Sequence, residues 1–101
     1  MKTIEVTVVR IYLTEGKAHM EQLIKRLHDV EKVRGVTVFR GIIGFGAHGT
    51  VHSSTLLDMS LDLPLVVEFF DEPVRAAAVL EHLSQTIAPG HIVSWQAHLN
   101  V

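Results

Sequence analysis

Four glycines in the middle of the chain have the spacing of a loop that can contact an anion. Gly41, Gly44, Gly46 and Gly49 follow Arg40, and the last three form the pattern GxGxxG. Glycines allow backbone N–H groups to approach an anion closely. A dinucleotide fingerprint also needs a helix that begins at these glycines, whereas TVHSST follows here, and the chain is short for a doubly wound fold. We therefore predict an anion contacted by backbone N–H groups and Arg40, with glycines that serve only turn geometry as the alternative.

Histidines in the same stretch raise the question of a metal or catalytic site. His48 and His52 are four positions apart, which on a strand separates their Cα atoms by about 13 Å. The local sequence disfavours a helix, so we expect no metal site within one chain, and these two histidines are weak candidates. Ser53 and Asp58 are nearby, but no oxyanion hole or strained nucleophile turn is indicated. We predict that the protein is not an enzyme.

The composition narrows the classes of partner. The 101 residues are 48% apolar and 20% charged, which is typical of one globular domain. A net charge of −2 disfavours a nucleic-acid partner, and the absence of cysteine excludes disulfides and thiolate chemistry. No apolar run is long enough for a membrane span, and the N-terminus resembles a strand rather than a secretory signal. We expect a cytoplasmic protein.

The period of the apolar residues predicts four strands and two helices. The strands are predicted at residues 4–13, 36–45, 62–70 and 91–101. A helical stripe runs from Ala18 to Val30, with Gly35 as a left-handed cap. A second helix follows Asp71 as its N-cap and ends before the Pro89-Gly90 pair. The alternation of the last strand predicts that Val93, Trp95, Ala97, Leu99 and Val101 point inward.

The order β-α-β-β-α-β is the ferredoxin-like split βαβ motif. It predicts an α+β domain over residues 1–101, a four-stranded antiparallel sheet with two helices on one face. Strands 4–13 and 62–70 carry apolar residues on both sides, so we expect an oligomer to bury the second face. Glu68, the lone charge in its strand, is expected to pair with a cation such as Arg10 or Arg40.

A long connection, at about residues 46–60, joins two strands that a short turn could connect. Connections of this length are commonly functional, which is the interpretation we favour here, with a structural Ω-loop as the alternative. Residues 55–59 are apolar enough to extend as a short strand.

Three stretches resemble a known family over essentially the whole chain. They are VRIYLTEGK, FRGIIGFGAHGTVHSSTLLDMSLDLPLVVEFFD and the last strand, and they resemble the PII-like domain-of-unknown-function family of small bacterial and archaeal proteins. That family is similar to a branch of the nitrogen-regulatory PII signalling superfamily, whose members are ferredoxin-like trimers. In PII proteins, adenine nucleotides bind in clefts between subunits, beside a long loop that contacts partner proteins.

The resemblance implies a non-enzymatic homotrimeric regulator with AMP, ADP or ATP as its ligand and no cofactor. The ligand-binding residues are expected to be Arg40, Gly41, Gly44, Phe45, Gly46, His48, Gly90 and His91. The glycines and Phe45 match the point where the PII loop leaves the sheet, and Phe45 offers its ring to an adenine. His48 is expected as an adjustable contact, and Gly90 and His91 match the PII loop before the last strand.

Two departures from the PII pattern affect the expected ligand. PII proteins place several basic residues around the phosphates, whereas His98 is the only potential cation after His91 here. The long loop has no tyrosine, so uridylylation has no acceptor there. AMP needs fewer cations than ATP and suits this chain better. A divalent-metal trimer similar to the CutA copper-tolerance proteins, with histidines that converge across subunits, is the alternative function.

Overall fold

A computed structural model describes residues 1–13, 17–45, 51–53 and 64–101, and at residues 17, 18, 44, 45 and 51–53 it describes the backbone alone. In chain order its elements are β1 Thr3–Leu13, α1 Lys17–Lys25, a π-helical segment Arg26–Glu31, β2 Val36–Arg40, β3 Ile43–Phe45, β4 Val51–Ser53, β5 Leu65–Asp71, α2 Pro73–Leu83 and β6 Ile92–Asn100.

The main sheet has the strand order β2-β5-β1-β6, and its neighbouring strands are antiparallel. This is the ferredoxin-like topology, so the predicted α+β fold is confirmed. The helices among the described residues pack on one face of this sheet. No helix among the described residues is long and apolar enough to cross a membrane.

The predicted second strand, residues 36–45, is divided in the structure. Its first part is β2 in the main sheet, and its second part is β3, which pairs with β4 in a separate two-stranded sheet. The predicted long connection at residues 46–60 therefore contains a strand, β4, although the proposed strand at residues 55–59 lies outside the described residues. The division occurs at Gly41, whose N–H donates to the carbonyl of Pro64 at 2.7 Å.

The core lies between the helices and the odd-numbered residues of β1 and β5. Its buried members are Val9, Ile11, Leu27, Val67, Phe69, Val79 and Leu83. Burying a side chain of this size contributes about 1.5–3 kcal/mol, so this layer supplies much of the driving force for folding.

The opposite side, which we call the open face, carries the alternate residues of the same strands. Its members are Ile4, Val6, Val8, Arg10, Tyr12, Thr37, Phe39, Val66, Glu68, Phe70, Val93, Trp95, Ala97 and Leu99. Val93 and Trp95 are 48% and 41% exposed, so the prediction that they point inward is wrong for the single chain. The register explains this, because Ile92 lies opposite the buried Ile11 and its neighbour Val93 therefore faces the other side.

The end of the first helix and the start of the second differ from the sequence-based prediction. The helix that begins with α1 continues through the π-helical segment, and Lys32, with φ 53°, adopts the left-handed conformation predicted for Gly35. The N–H of Lys32 donates to the carbonyl of Leu27, five residues earlier, which places the end at Lys32. The N-cap of α2 is Glu72 rather than Asp71, because Asp71 belongs to β5 and accepts the Glu72 N–H at 2.7 Å.

Candidate functional site

One end of the main sheet collects three connections of the chain, and we call it the loop end. In the strand register Arg40 of β2 and Leu13 of β1 both lie opposite Leu65, the first residue of β5. Ile92, the first residue of β6, lies opposite Ile11 at the same end. The connections that follow β1, β2 and α2 therefore open on one side of the molecule. A site built from loop residues belongs at this end.

Gly41 is held at the loop end by a close backbone contact. A Cβ atom there would lie 2.9 Å from the Cγ of Pro64 and 3.3 Å from its carbonyl oxygen, so the position has no room for a side chain without a shift. Since the Gly41 N–H already donates to Pro64, this group is used within the fold. Pro64 immediately precedes β5, a position that suits a residue with no N–H to donate to the neighbouring strand.

Arg40 and Arg10 lie on opposite faces of the sheet. Arg40 is exposed and lies in register with Leu65 on the helix-facing side. Arg10 lies in register with Glu68 on the open face, and β5 separates the strands of the two arginines. The two arginines therefore do not contribute to one face of the sheet. Of the two cations considered for Glu68, the structure selects Arg10, with Nε 2.6 Å from Oε1.

The hairpin of β3 and β4 carries the next candidates. Gly44 pairs with His52 and Phe45 pairs with Val51, which places these four residues at the base of the long connection. Gly46 and His48 lie outside the described residues. The described part of the chain has no group of three potential metal-ligating side chains. The weak metal candidates His48 and His52 stay untested, since the structure does not describe the His48 residue or the His52 side chain.

Gly90 and His91 form the opposite edge of the loop end. Gly90 has φ +91°, a left-handed conformation that glycine adopts without strain. The N–H of Tyr12 donates to the His91 carbonyl at 2.8 Å, and Nδ1 of His91 is 3.0 Å from the Tyr12 carbonyl. A carbonyl oxygen only accepts, so Nδ1 carries the proton, and Nε2 of the neutral ring is an acceptor.

The expected site residues thus fall into two groups. The first group follows β2 and the second precedes β6, and two strands lie between them. With neighbouring strands about 4.8 Å apart, the two sheet edges are separated by roughly 14 Å. A single phosphate therefore cannot contact the backbone at Arg40 and the backbone at His91 within one chain.

The structure also shows two polar clusters, of which the sequence predicted only the Arg10–Glu68 pair, as one of two alternatives. On the open face, the guanidinium of Arg10 lies 5.8 Å from the ring centre of Phe39 and 5.4 Å from that of Trp95. The hydrogen bond to Glu68, and then that to Tyr12, raise the pKa of Arg10 above its ordinary value. Alternation places each residue on a strand face, but only the pairing of strands reveals this cluster.

The second cluster joins the two helical segments around Glu31, whose side chain is 5% exposed. Its carboxylate accepts from Nε of Arg26 at 3.0 Å and lies 3.0 and 3.2 Å from Nδ1 of His82. Arg75 donates to the backbone carbonyls of Glu31 and Lys32. A charged residue near a helix end is normally predicted to be exposed, so no local feature of the sequence indicates that Glu31 is buried.

Comparison with known proteins places this geometry in context. A family profile described as DUF190, Uncharacterized ACR, COG1993 matches residues 6–99. A UPF0166 protein of Aquifex aeolicus is 30% identical over 88 residues, which are 82% of this chain and 83% of that protein. A UPF0166 protein of Methanocaldococcus jannaschii is 30% identical over 92 residues, 83% of this chain and 81% of that protein.

Solved structures share the fold. CPII, a nitrogen regulatory PII-like protein from Thiomonas intermedia K12 in a structure bound to ADP, AMP and bicarbonate, matches with a TM-score of 0.72 and 18% identity, over 99% of this chain and 100% of that chain. A protein from Thermus thermophilus described as a putative PII-like signaling protein matches with a TM-score of 0.67 and 14% identity, over 100% of this chain and 93% of that chain. The resemblance to PII-like proteins is thereby confirmed at the level of the fold.

Proposed function

The chain belongs to the DUF190 (UPF0166) family, and on this premise we propose that it is a non-enzymatic regulatory protein whose homotrimer binds an adenine nucleotide between subunits. The observation that carries the proposal is the geometry of the loop end, where Arg40 ends one edge strand of the main sheet and His91 precedes the other edge strand. The nucleotide-bound state of CPII, whose fold this chain shares, supports an adenine nucleotide as the ligand class.

In a trimer, a neighbouring subunit brings the second group of residues close to the first. In a closed ring of identical chains, the β2 edge of one subunit meets the β6 edge of the next. The site is then formed by Arg40 and the backbone of Gly44, Phe45 and Gly46 from one chain, and by Gly90 and His91 from its neighbour. His48 is the adjustable contact, and the ring of Phe45 stacks on the adenine.

The open face supports assembly independently of the ligand. It is mainly apolar, no described helix covers it, and it exposes Phe39, Val93 and Trp95. Contiguous apolar surface of this kind usually marks an interface. In the trimer, this face lines the shared centre and the loop ends meet at the clefts.

The long connection has a role in regulation, within a chain that acts as one domain. Residues 1–101 act as a single domain, and residues 46–60 contact a regulated protein, with the bound nucleotide altering that contact. The site of action is the cytoplasm. Ligand selection follows charge: Arg40 is the only permanent cation among the proposed ligand residues, so AMP is favoured over ATP.

Thermal-shift screening with AMP, ADP, ATP, cyclic dinucleotides and divalent metals tests the ligand class. A ligand at a hundredfold excess over its Kd raises the stability of the folded state by about 2.7 kcal/mol. Arg40→Ala should weaken nucleotide binding more than tenfold, because a hydrogen bond to a charged group contributes roughly 1.5–3 kcal/mol. Arg34→Ala is the matched control, since Arg34 pairs with Glu72 away from the loop end. Parent-like nucleotide affinity in Arg40→Ala would place the site elsewhere.

Subunit mixing tests whether the site is shared. Arg40→Ala and His91→Ala chains, each defective alone, are refolded together in equal amounts. In a shared site, about one quarter of the clefts then combine an intact Arg40 with an intact His91 of the neighbour. Calorimetry should recover that fraction of binding sites at parent affinity. Recovery of none would show that one chain supplies both residues.

A further inference from the structure

A cavity on the helix side of the sheet lies between α1 and the connection from α2 to β6. Its volume is about 500 Å³, within the range of small-molecule sites. The apolar part of its wall consists of Leu13, Leu23, Leu83 and Ile87. Leu83 belongs to the buried core and the other three pack against it. The apolar wall is therefore anchored in the rigid part of the fold.

The polar part of the wall carries one permanent cation, Arg26, and several hydrogen-bonding groups. It consists of His19, Gln22, Arg26, Thr86 and His91. No acidic side chain is among the described residues that line the cavity. A ligand that complements this wall has an apolar body and one anionic group.

Arg26 is held in place at the cavity by Glu31. Its Nε and one terminal nitrogen each lie 3.0 Å from the same carboxylate oxygen of Glu31. That carboxylate is also bound by His82, so it is shared between two partners. Within the described residues, the remaining N–H groups of the guanidinium have no acceptor. A guanidinium that is positioned but still offers N–H groups suits the planar geometry of a carboxylate.

From these contacts we propose that the cavity is a second binding site, for a small aliphatic carboxylate. The carboxylate binds Arg26, and the aliphatic body packs on Leu23, Leu83 and Ile87. This site lies within one subunit and takes a ligand of a different class from the nucleotide proposed for the cleft. His91 borders both sites, so occupancy of the cavity acts on the edge of the cleft.

Calorimetry with butanoate, hexanoate, octanoate, decanoate and 1-octanol tests the proposal. Each buried methylene should tighten Kd about fourfold until the cavity is filled. Octanoate should bind at least about tenfold more tightly than 1-octanol, which has the same chain without the charge. Absence of octanoate binding at millimolar concentration, or equal affinity for the alcohol, would overturn the assignment.

Two variants locate the binding. Ala88→Glu adds a negative charge to an exposed lining position and should abolish octanoate binding in a folded protein. Arg26→Gln should remove the preference of the carboxylate over the alcohol, whereas Arg34→Gln, on the far side of the helical layer, should retain it. If Ala88→Glu binds octanoate as the parent does, the proposed site is wrong. If AMP competes with octanoate and Ala88→Glu loses both ligands, the cavity is part of the nucleotide site and the separate site is refuted, while the nucleotide function stands.

Discussion

Glu31 links the two helical segments through one buried carboxylate. Nδ1 of His82 donates to it from α2, and Arg26 donates from one turn earlier on its own segment. Burial alone raises the pKa of Glu31, but the hydrogen bonds from His82 and Arg26 outweigh burial and hold this pKa below its ordinary value. The carboxylate is therefore charged in the folded protein, and its partners bind it more strongly than water does.

This arrangement predicts a pH-dependent contribution to stability. Because the pKa of Glu31 is lower in the folded chain than in the unfolded chain, the contribution is complete above the unfolded value, about pH 4.3, and is lost as the pH falls through the folded value. Glu31→Gln should lower the free energy of unfolding at neutral pH by about 1–3 kcal/mol. The difference from the parent should shrink on acidification below about pH 4.3.

Urea unfolding at a series of pH values measures this effect. Glu81→Gln is the control, since Glu81 is an exposed glutamate of α2 and its side chain has no ion pair in the described structure. A difference between Glu31→Gln and parent that stays constant from pH 7 to acid would contradict the assignment.

Glu68 neutralises Arg10 in the middle of the open face. In a single chain the pair is partly exposed, where such pairs contribute little. In the proposed trimer it becomes buried, and removal of one charge leaves the other uncompensated. Glu68→Gln should therefore raise the dissociation constant of the trimer about tenfold or more, as measured by sedimentation over a range of concentrations. Glu72→Gln, which removes the exposed partner of Arg34, should leave assembly unchanged. Equal effects of the two variants would exclude burial of the Arg10–Glu68 pair.

Among the connections between elements, the turn before β6 depends on one backbone conformation. Gly90 has φ +91°, and an alanine there should lower the free energy of unfolding by about 1–2 kcal/mol. Gly35→Ala is a matched control, because an added Cβ would meet nothing within 4 Å and φ is not positive there. That variant should be neutral or slightly stabilising. Thermal unfolding of both variants measures the difference, and equal melting temperatures would show that the turn relaxes around an alanine.

For the whole molecule, the open face predicts how assembly responds to charge. Val93→Asp places a carboxylate within the apolar face and should convert the trimer to monomers in light scattering at micromolar concentration. Val74→Asp makes the same exchange at a valine of α2 that is 84% exposed and lies outside this face, and it should leave the trimer intact. A parent chain that is monomeric, or a trimeric Val93→Asp variant, would refute the proposed interface.

The sequence by itself determined the order of the elements and the faces of β1. Strand and helix periods are local, so the apolar residues at alternate positions of residues 4–13 identify a strand with apolar residues on both sides without knowledge of its neighbours. The same holds for the stripes of the two helices, except that Val30, the last residue of the first predicted stripe, is 62% exposed. Element order then limits a chain of this length to very few folds, and the ferredoxin-like arrangement is confirmed.

Only the tertiary structure decided which elements and side chains meet. Because the register pairs Ile11 with Ile92, Val93 and Trp95 lie on the open face. Because β1 pairs with β5, Glu68 lies opposite Arg10 and forms its ion pair with Arg10 rather than with Arg40. The predicted second strand was divided because its first part pairs with β5 as far as Arg40 and its second part pairs with β4, and the packing of α2 on the π-helical segment buried Glu31. Each outcome depends on contacts between residues far apart in the chain, which residue periods do not encode. For the same reason, the sequence placed Arg40 after one strand and His91 before another, while the two strands that lie between them emerged from the strand order alone.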